Sequence, residues 1–168
     1  MFSKVRPKRI FASLLAASAV ALCASAFAWA QSAAKAAPAS QPTLDYEFFK
    51  TQVEPIFLKK RWPDHARCYV CHEVSHHSGG PFSLAALSPG SSSWTEEQSR
   101  LNFEAASRVA IPGDPKSSII LLMPLAPEAG GMADTHQGGR QFTSKDDPDW
   151  KIMAAWVRGQ KGGGSSAP

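Results

Sequence analysis

The chain has 168 residues, of which 18 are lysine or arginine and 14 are aspartate or glutamate, giving a formal net charge of +4. Four of the bases and none of the acids lie in residues 1–30, so the rest of the chain carries 14 bases against 14 acids. A body without net positive charge argues against a nucleic-acid-binding protein, because phosphate binding needs a basic domain or face. The length that remains after residue 30 is that of a single domain.

Residues 1–30 have the pattern of a secretory signal peptide: a basic start, an apolar stretch from Ile10 to about Ala28, and small residues at Ala28 and Ala30. Cleavage after Ala30 predicts a periplasmic or secreted protein without a stable membrane span. The alternative is an uncleaved leader that anchors the N-terminus in a membrane, because the apolar stretch is near the minimum length that spans a bilayer.

The composition divides the remaining chain into three parts. Residues 31–42 are rich in Ala, Ser, Gln and Pro and are predicted to form a flexible tether, and residues 162–168 are predicted to form a flexible tail. The ordered domain is therefore predicted to cover residues 43–161.

The first predicted helix begins at Thr43 or Asp45, either of which can cap it, and it carries apolar residues at roughly helical spacing. Pro55 is expected to kink or restart this helix, because proline pushes the preceding residue away from helical backbone angles. The helix is predicted to end at residues 59–61, all of them cations, where the helix dipole favours positive charge.

Three further helices are predicted from capping residues and from apolar residues at helical spacing. They run from about Thr95 to Val109, from Ser117 to Leu122 and from Asp147 to Gly159, and the segments Glu73–Ser93 and Pro124–Ser144 are predicted to be irregular. No window shows a sustained alternation of apolar and polar residues. The sequence therefore predicts a mostly α domain with long irregular loops.

The segment Cys68-Tyr69-Val70-Cys71-His72 has the C-x-x-C-H spacing of covalent c-type haem attachment. Its two thiols can reach the two vinyl groups on one edge of a porphyrin, and the adjacent histidine places an imidazole nitrogen on the iron. The motif predicts one covalently attached haem c and its iron, with Cys68 and Cys71 as the thioether residues and His72 as the proximal axial ligand.

Three other interpretations of the motif fit the sequence less well. A structural zinc site needs four ligands, and no second pair of cysteines remains after cleavage of the leader. A thioredoxin-like redox pair belongs in a βαβ unit, of which the sequence shows no sign. A disulfide between Cys68 and Cys71 closes a very small, strained loop and leaves His72 without a role.

The second axial position of the iron decides what such a haem can do. The candidates for it are Met123, Met132 and His136, which lie between the motif and the last predicted helix. The other histidines and the other methionine of the mature chain are too close to the motif in sequence or lie on the core face of the last helix: His65, His76, His77 and Met153.

These segments together resemble the monohaem, class I-like cytochromes c, and most closely the planctomycete-type cytochrome c domain. The resemblance covers about residues 46–159 and rests on the haem motif and on Phe49 to Phe57, Val109 to Pro115 with Ser118, Pro124-Leu125-Ala126, Gly130-Gly131, His136-Gln137-Gly138-Gly139, and Asp146 to Trp150 with Trp156. It implies a mostly α, cytochrome c-like fold in which the N- and C-terminal helices pack around one covalent haem.

The resemblance also bears on the second axial ligand. Many relatives use a methionine in a Met-Pro step, and Met123-Pro124 has that pattern, although it lies well upstream of the last helix. In the closer relatives a His-x-Gly-Gly segment lies nearer the last helix. The resemblance therefore favours His136, with Met123 and Met132 as the alternatives.

The motif and the resemblance imply an exported electron carrier without catalytic residues, because two filled axial positions keep substrates away from the iron. Lys59, Lys60 and Arg61 are a candidate docking patch for an acidic redox partner. Two alternatives stay open. One is a haem-based sensor or an enzyme of peroxide or another small molecule with an open sixth position, in which His76 or His77 acts as acid or base. The other is a haem subunit of a larger redox complex.

Overall fold

The computed structural model describes residues 41–63, 65–76, 80–133 and 136–163. The predicted signal peptide and most of the predicted tether and tail lie outside these ranges. Residues from Gln41 onward form one unit, which contains the predicted domain. Within the described ranges, no helix combines the length and the apolar character that crossing a membrane requires.

The described part of the chain is mostly α, as predicted, and has very little strand. Its α-helices are α1 (Tyr46–Phe48), α2 (Glu54–Leu58), α3 (Tyr69–His72), α4 (Glu96–Ser107), α5 (Ile119–Leu122) and α6 (Pro148–Val157). A π-helical turn, Phe49–Val53, joins α1 to α2, and 3-10 turns span Val74–His76 and Pro127–Ala129. The strands β1 (Lys60–Trp62) and β2 (His65–Ala66) form an antiparallel pair that the sequence did not predict.

The first helical segment begins at Asp45, whose Oδ1 accepts the Phe48 N–H at 2.8 Å. The expected restart near Pro55 takes the form of the π-helical turn: the Glu54 N–H donates to the carbonyl of Phe49, five residues back. Pro55 then lies in the first turn of α2, where its missing N–H is harmless. The predicted cationic helix end is wrong for Lys60 and Arg61, because the helix ends at Leu58 and these two lie on β1.

Helix α4 shows the predicted capping box, in which Thr95 and Gln98 bond each other's backbone N–H. Its buried face is partly polar. Glu54 of α2 is buried and accepts hydrogen bonds from Ser99 Oγ at 2.7 Å and Asn102 Nδ2 at 2.9 Å. Burial raises the pKa of Glu54, and these two donors lower it less. Leu101 is 54 % exposed, because the polar residues occupy the inner face of the helix.

The first and last helical segments of the domain pack against each other. Helix α6 begins at Asp147, as predicted, and Oδ1 of this residue accepts the N–H groups of Asp149 and Trp150. The fully buried Trp156 packs on Phe49 with ring centres 5.3 Å apart, and its indole N–H donates to the carbonyl of Asp45 at 3.1 Å. This contact closes the domain around a shared aromatic core.

The irregular segment after α5 is anchored to the core at both ends. Leu125 and Phe142 are fully buried and form an isolated parallel bridge, and the Ala126 N–H donates to the carbonyl of Phe142 at 2.9 Å. Gly131 lies so close to this bridge that a Cβ there would stand 2.0 Å from the carbonyl oxygen of Leu125. Leu125, Gly131 and Phe142 are therefore held close to one another by backbone contacts.

Candidate haem site

The C-x-x-C-H motif folds into one helical turn. Cys68 caps α3, and the N–H groups of Cys71 and His72 both donate to its carbonyl, at 3.3 and 3.1 Å. Residues three and four positions apart share a helix face, so the two cysteines and the histidine lie on the same side of this turn. The Cys68 N–H donates to the carbonyl of Phe57 at 3.2 Å, which fixes the turn to the end of α2.

A loop after the motif holds His72 from one side. The Leu84 N–H donates to the carbonyl of His72 at 2.7 Å, and the Val74 N–H donates to the carbonyl of Leu84 at 2.9 Å. His72 Nδ1–H donates to the carbonyl of Phe82 at 2.7 Å, and the two rings lie 4.7 Å apart. Because a carbonyl only accepts, the proton of the neutral imidazole is on Nδ1 and the lone pair is on Nε2, the atom that binds metals in such an arrangement.

Sequence reasoning missed the role of Phe82. The sequence predicts an irregular segment over Glu73–Ser93, and Phe82 lies within it, two residues after the turn residue Gly80. The contact to His72 is made by a backbone carbonyl, which every residue type has. No side-chain pattern marks a backbone hydrogen bond of this kind, although the ring of Phe82 also contacts His72.

His136 is held on the other side of the site by its own loop. The ring is half-buried, and Nδ1–H donates to the carbonyl of Gly139 at 2.6 Å. The same tautomer argument puts the lone pair of His136 on Nε2. Gly138 lies against both halves of the site: a Cβ on it would stand 3.5 Å from Cys71 Sγ and 3.6 Å from His136 Cε1.

The structure brings His72 and His136 together across 64 residues of sequence. Their ring centres are 6.1 Å apart and their planes are inclined by 29°. Bonds from a metal to an imidazole nitrogen are about 2.0–2.1 Å long, so two imidazoles on opposite sides of one metal have ring centres about 6.3 Å apart. The observed separation of the ring centres is close to that value.

The backbones of the two methionine candidates are hydrogen-bonded to Arg140, which follows the His136 loop in sequence. The guanidinium of Arg140 donates to the carbonyl of Met123 and, at 2.7 Å, to the carbonyl of Met132. Both methionines are half-buried. Met153, which the sequence placed in the core, is 2 % exposed on α6.

The surroundings of Cys68 disfavour a negative charge on its sulfur. No disulfide joins Cys68 to Cys71. Burial raises the pKa of the Cys68 thiol to about 12, against the opposing effect of Arg67. A zinc ligand must be a thiolate, whereas a thioether sulfur carries no charge that burial could penalise. In the described ranges, no group of three or more His, Cys, Asp or Glu side chains is arranged to hold a metal ion by itself.

Arg67, the residue before Cys68, ties the motif to α6. Its guanidinium pairs with the carboxylate of Asp149, lies 3.9 Å from that of Asp147, and stands 5.0 Å from the ring centre of Phe142. Lys59 pairs with the other oxygen of Asp149 at 2.9 Å. Arg67 therefore connects the motif to the last helix through Asp149 and to the segment of His136 through the ring of Phe142.

The residues predicted as a docking patch and the histidine predicted as an acid or base within the described ranges are exposed. Lys59, Lys60 and Arg61 are all exposed, although Lys59 is paired with Asp149 as described above. His76 is exposed in the 3-10 turn after the motif, 3.7 Å from a carboxylate oxygen of Glu73. His77 lies outside the described residues.

Comparisons with protein-family models, with curated proteins and with solved structures find no match to this chain. The resemblance to the cytochromes c therefore stays a prediction from the motifs, and the functional assignment rests on the geometry of the site.

Proposed function

We propose that this chain is an exported monohaem c-type cytochrome that carries electrons. Cys68 and Cys71 would hold one haem c, and His72 and His136 would bind its iron. The observation that carries the proposal is the 6.1 Å separation of the two imidazoles, directly beside a C-x-x-C-H turn. A haem supplies an iron that gains and loses one electron.

The two histidines would hold the iron from the protein side, and the backbone fixes the orientation of both rings. Each imidazole donates its Nδ1–H to a backbone carbonyl, that of Phe82 for His72 and that of Gly139 for His136. Such bonds fix the ring orientation and make Nε2 a better electron donor. With haem bound, the two imidazoles would hold the iron from both sides, which would exclude substrates and suit electron transfer. They also favour a lower reduction potential than a histidine and methionine pair.

The architecture supports a cytochrome c-like fold for this domain. In the fold that the resemblance implies, the first and last helices cross and the haem motif follows the first. The contact between Phe49 and Trp156 joins these two segments here, and the backbone bond from Cys68 to Phe57 seats the motif at the end of α2. Export follows from the leader pattern, and covalent haem attachment takes place outside the cytoplasm.

A spectroscopic experiment tests this function. The mature protein is produced together with a haem-attachment system, and haem that stays bound after denaturation shows covalent attachment. Its optical spectrum should be low-spin, unchanged by carbon monoxide and without the far-red sulfur-to-iron band. A wild-type spectrum that is high-spin and responds to carbon monoxide would contradict the carrier and favour the sensor or enzyme.

The matching variant is His136→Ala. We expect it to keep covalent haem, to become high-spin in the ferric state and to bind carbon monoxide in the ferrous state. His76→Ala is the control, because this exposed histidine pairs only with Glu73 among the contacts described above and should leave the spectrum unchanged. If His136→Ala stays low-spin, the second ligand is another residue, and Met123→Leu and Met132→Leu identify which.

A further inference from the structure

The loop that carries His136 has little side-chain packing of its own. Gly138 and Gly139 follow the histidine, and Gly139 has a left-handed φ of +73°. The only bond described for the imidazole runs to the carbonyl of Gly139, three residues away in the same loop. A glycine loop held in this way has many accessible conformations, so another group must fix it relative to the core.

Gln141 supplies that connection. Its side chain is 6 % exposed, and Nε2 donates to the carbonyl of Gly138 at 2.7 Å and, more weakly, to that of Gly139 at 3.4 Å. Its own N–H donates to the carbonyl of Pro124 at 2.8 Å, and the next residue is the fully buried Phe142. The carbonyl that orients His136 therefore belongs to a loop that the amide of Gln141 holds against the core.

The amide is kept in this orientation at a cost. Nε2 must face Gly138 and Gly139, because carbonyl oxygens cannot donate to Oε1. Oε1 is consequently buried, and among the described residues it has no hydrogen-bond partner. An unsatisfied buried acceptor destabilises a fold, and such local costs concentrate where function requires them.

We propose that Gln141 is a positioning residue that keeps His136 on the iron. This inference rests on the proposed function and adds to it the residue that sets how firmly the second axial ligand is held. Without the Gln141 amide, the Gly138–Gly139 loop moves more freely and His136 competes less well with an external ligand for the iron.

The test measures the dissociation constant of cyanide from the ferric protein. Gln141→Leu keeps a side chain of similar size but removes the donor to Gly138. Loss of one such hydrogen bond should strengthen cyanide binding about tenfold. The matched control is Gln98→Leu. Gln98 also bonds a loop, through Ala86 and Thr95, but lies in the α4 cap, so its variant should bind cyanide as the wild type does.

A second variant separates the hydrogen bond from packing. Gln141→Glu keeps the shape of the side chain but places a carboxylate oxygen opposite the carbonyl of Gly138, and both of these oxygens only accept. Because the two acceptors repel each other, this variant should strengthen cyanide binding more than Gln141→Leu does. A result for Gln141→Glu like that of the wild type would overturn the proposal. If leucine prevents folding, Gln141→Asn decides: it should give a smaller change of the same sign, and no change would count against the inference.

The outcomes also separate this inference from the proposed function. A wild-type protein without covalent haem overturns both. A wild type with low-spin haem c, combined with cyanide binding in Gln141→Leu that equals that of the wild type, overturns the role of Gln141 and leaves the electron carrier standing.

Discussion

The two halves of the candidate haem site hold their histidines by different means. The proximal segment, residues 66–84, places His72 at the end of a helical turn and clamps it with backbone bonds to Leu84 and a contact to Phe82. The distal segment, residues 136–142, places His136 on a glycine loop. One histidine is thus supported by a helical turn and the other by a loop that depends on its neighbours.

The difference has a physical consequence. The bonds around His72 join segments that are ten or more residues apart, so breaking them requires the domain to open. The bond to His136 closes within three residues, so it does not itself tie the histidine to the core. We expect the distal histidine to leave the iron first under mild denaturation, because local opening requires less free energy than global unfolding.

The largest expected effect comes from breaking the attachment of the proximal segment to α6. The side chains of Arg67 and Asp149 are 15 % and 8 % exposed, and Arg67→Met leaves a buried carboxylate with one cation fewer. This substitution should destabilise the protein by about 3 kcal/mol in urea unfolding.

The control for Arg67 is Lys59→Met, which removes the other cation on the same carboxylate. Because Lys59 is 57 % exposed, the loss should stay below about 1 kcal/mol. Equal effects of the two substitutions would show that burial of the Arg67 pair does not matter.

The second effect concerns the distal side. Gly131→Ala would place a methyl group 2.0 Å from the backbone oxygen of Leu125, so the bridge to Phe142 must shift. We expect a loss of about 2–3 kcal/mol in thermal or urea unfolding. The bridge ends at Phe142 in the distal segment, so its shift should also displace His136. The folded variant with haem attached should then bind carbon monoxide in the ferrous state.

Gly138→Ala provides the comparison, at a glycine inside the distal segment. Its methyl group would meet Cys71 Sγ at 3.5 Å, which is an ordinary contact. Its stability should therefore change by less than about 1 kcal/mol. A loss of stability as large as that of Gly131→Ala would contradict the difference in space around the two glycines.

The smallest effect concerns the helical scaffold beneath both segments. Burial raises the pKa of Glu54 above its ordinary value of 4.5, so the folded state binds this proton more tightly than the unfolded state. The contribution of Glu54 to stability is then fully present below pH 4.5 and falls as the pH rises through the raised pKa.

Glu54→Gln removes this titration. The free energy of unfolding of the wild type minus that of the variant should therefore decrease as the pH rises from 4.5, and then become constant. Ser99→Ala removes a donor that lowers the pKa of Glu54, so it should extend the decrease to higher pH. A difference that increases with pH would contradict the direction of the shift.

The sequence predicted those features that a few neighbouring residues determine. The Asp147 cap with Pro148 in the first turn of α6 and the Thr95 and Gln98 capping box both depend on local spacing. The structure has each of them. Their stability comes from contacts between residues at most four positions apart, which a linear pattern records.

Features that depend on tertiary contacts escaped the sequence. Leu101 and Ala105 are four residues apart, which places both on one face of α4. The hydrogen bond from Ser99 to the buried Glu54 turns the Ser99 side of the helix toward the core, so Leu101 is exposed. The β1 strand replaces the expected helix end because the Arg67 N–H donates to the carbonyl of Lys59. Neither effect has a signature within one segment.

The same distinction applies to the site. His136 was favoured over Met123 and Met132 on resemblance alone, and its distance to His72 is a tertiary property. The supports of the two rings, the carbonyls of Phe82 and Gly139, are backbone groups without a sequence signature. The position of the motif was therefore accessible from the sequence, and the distance between His72 and His136 was not.

The most direct test of the central claim is the low-temperature electron paramagnetic resonance spectrum of the ferric wild-type protein with its haem attached. His72 and His136, with planes inclined by 29°, predict the rhombic low-spin signal of two nearly parallel imidazoles. A high-spin signal, or the strongly anisotropic low-spin signal of perpendicular ligand planes, would contradict the pairing of these two histidines on one iron.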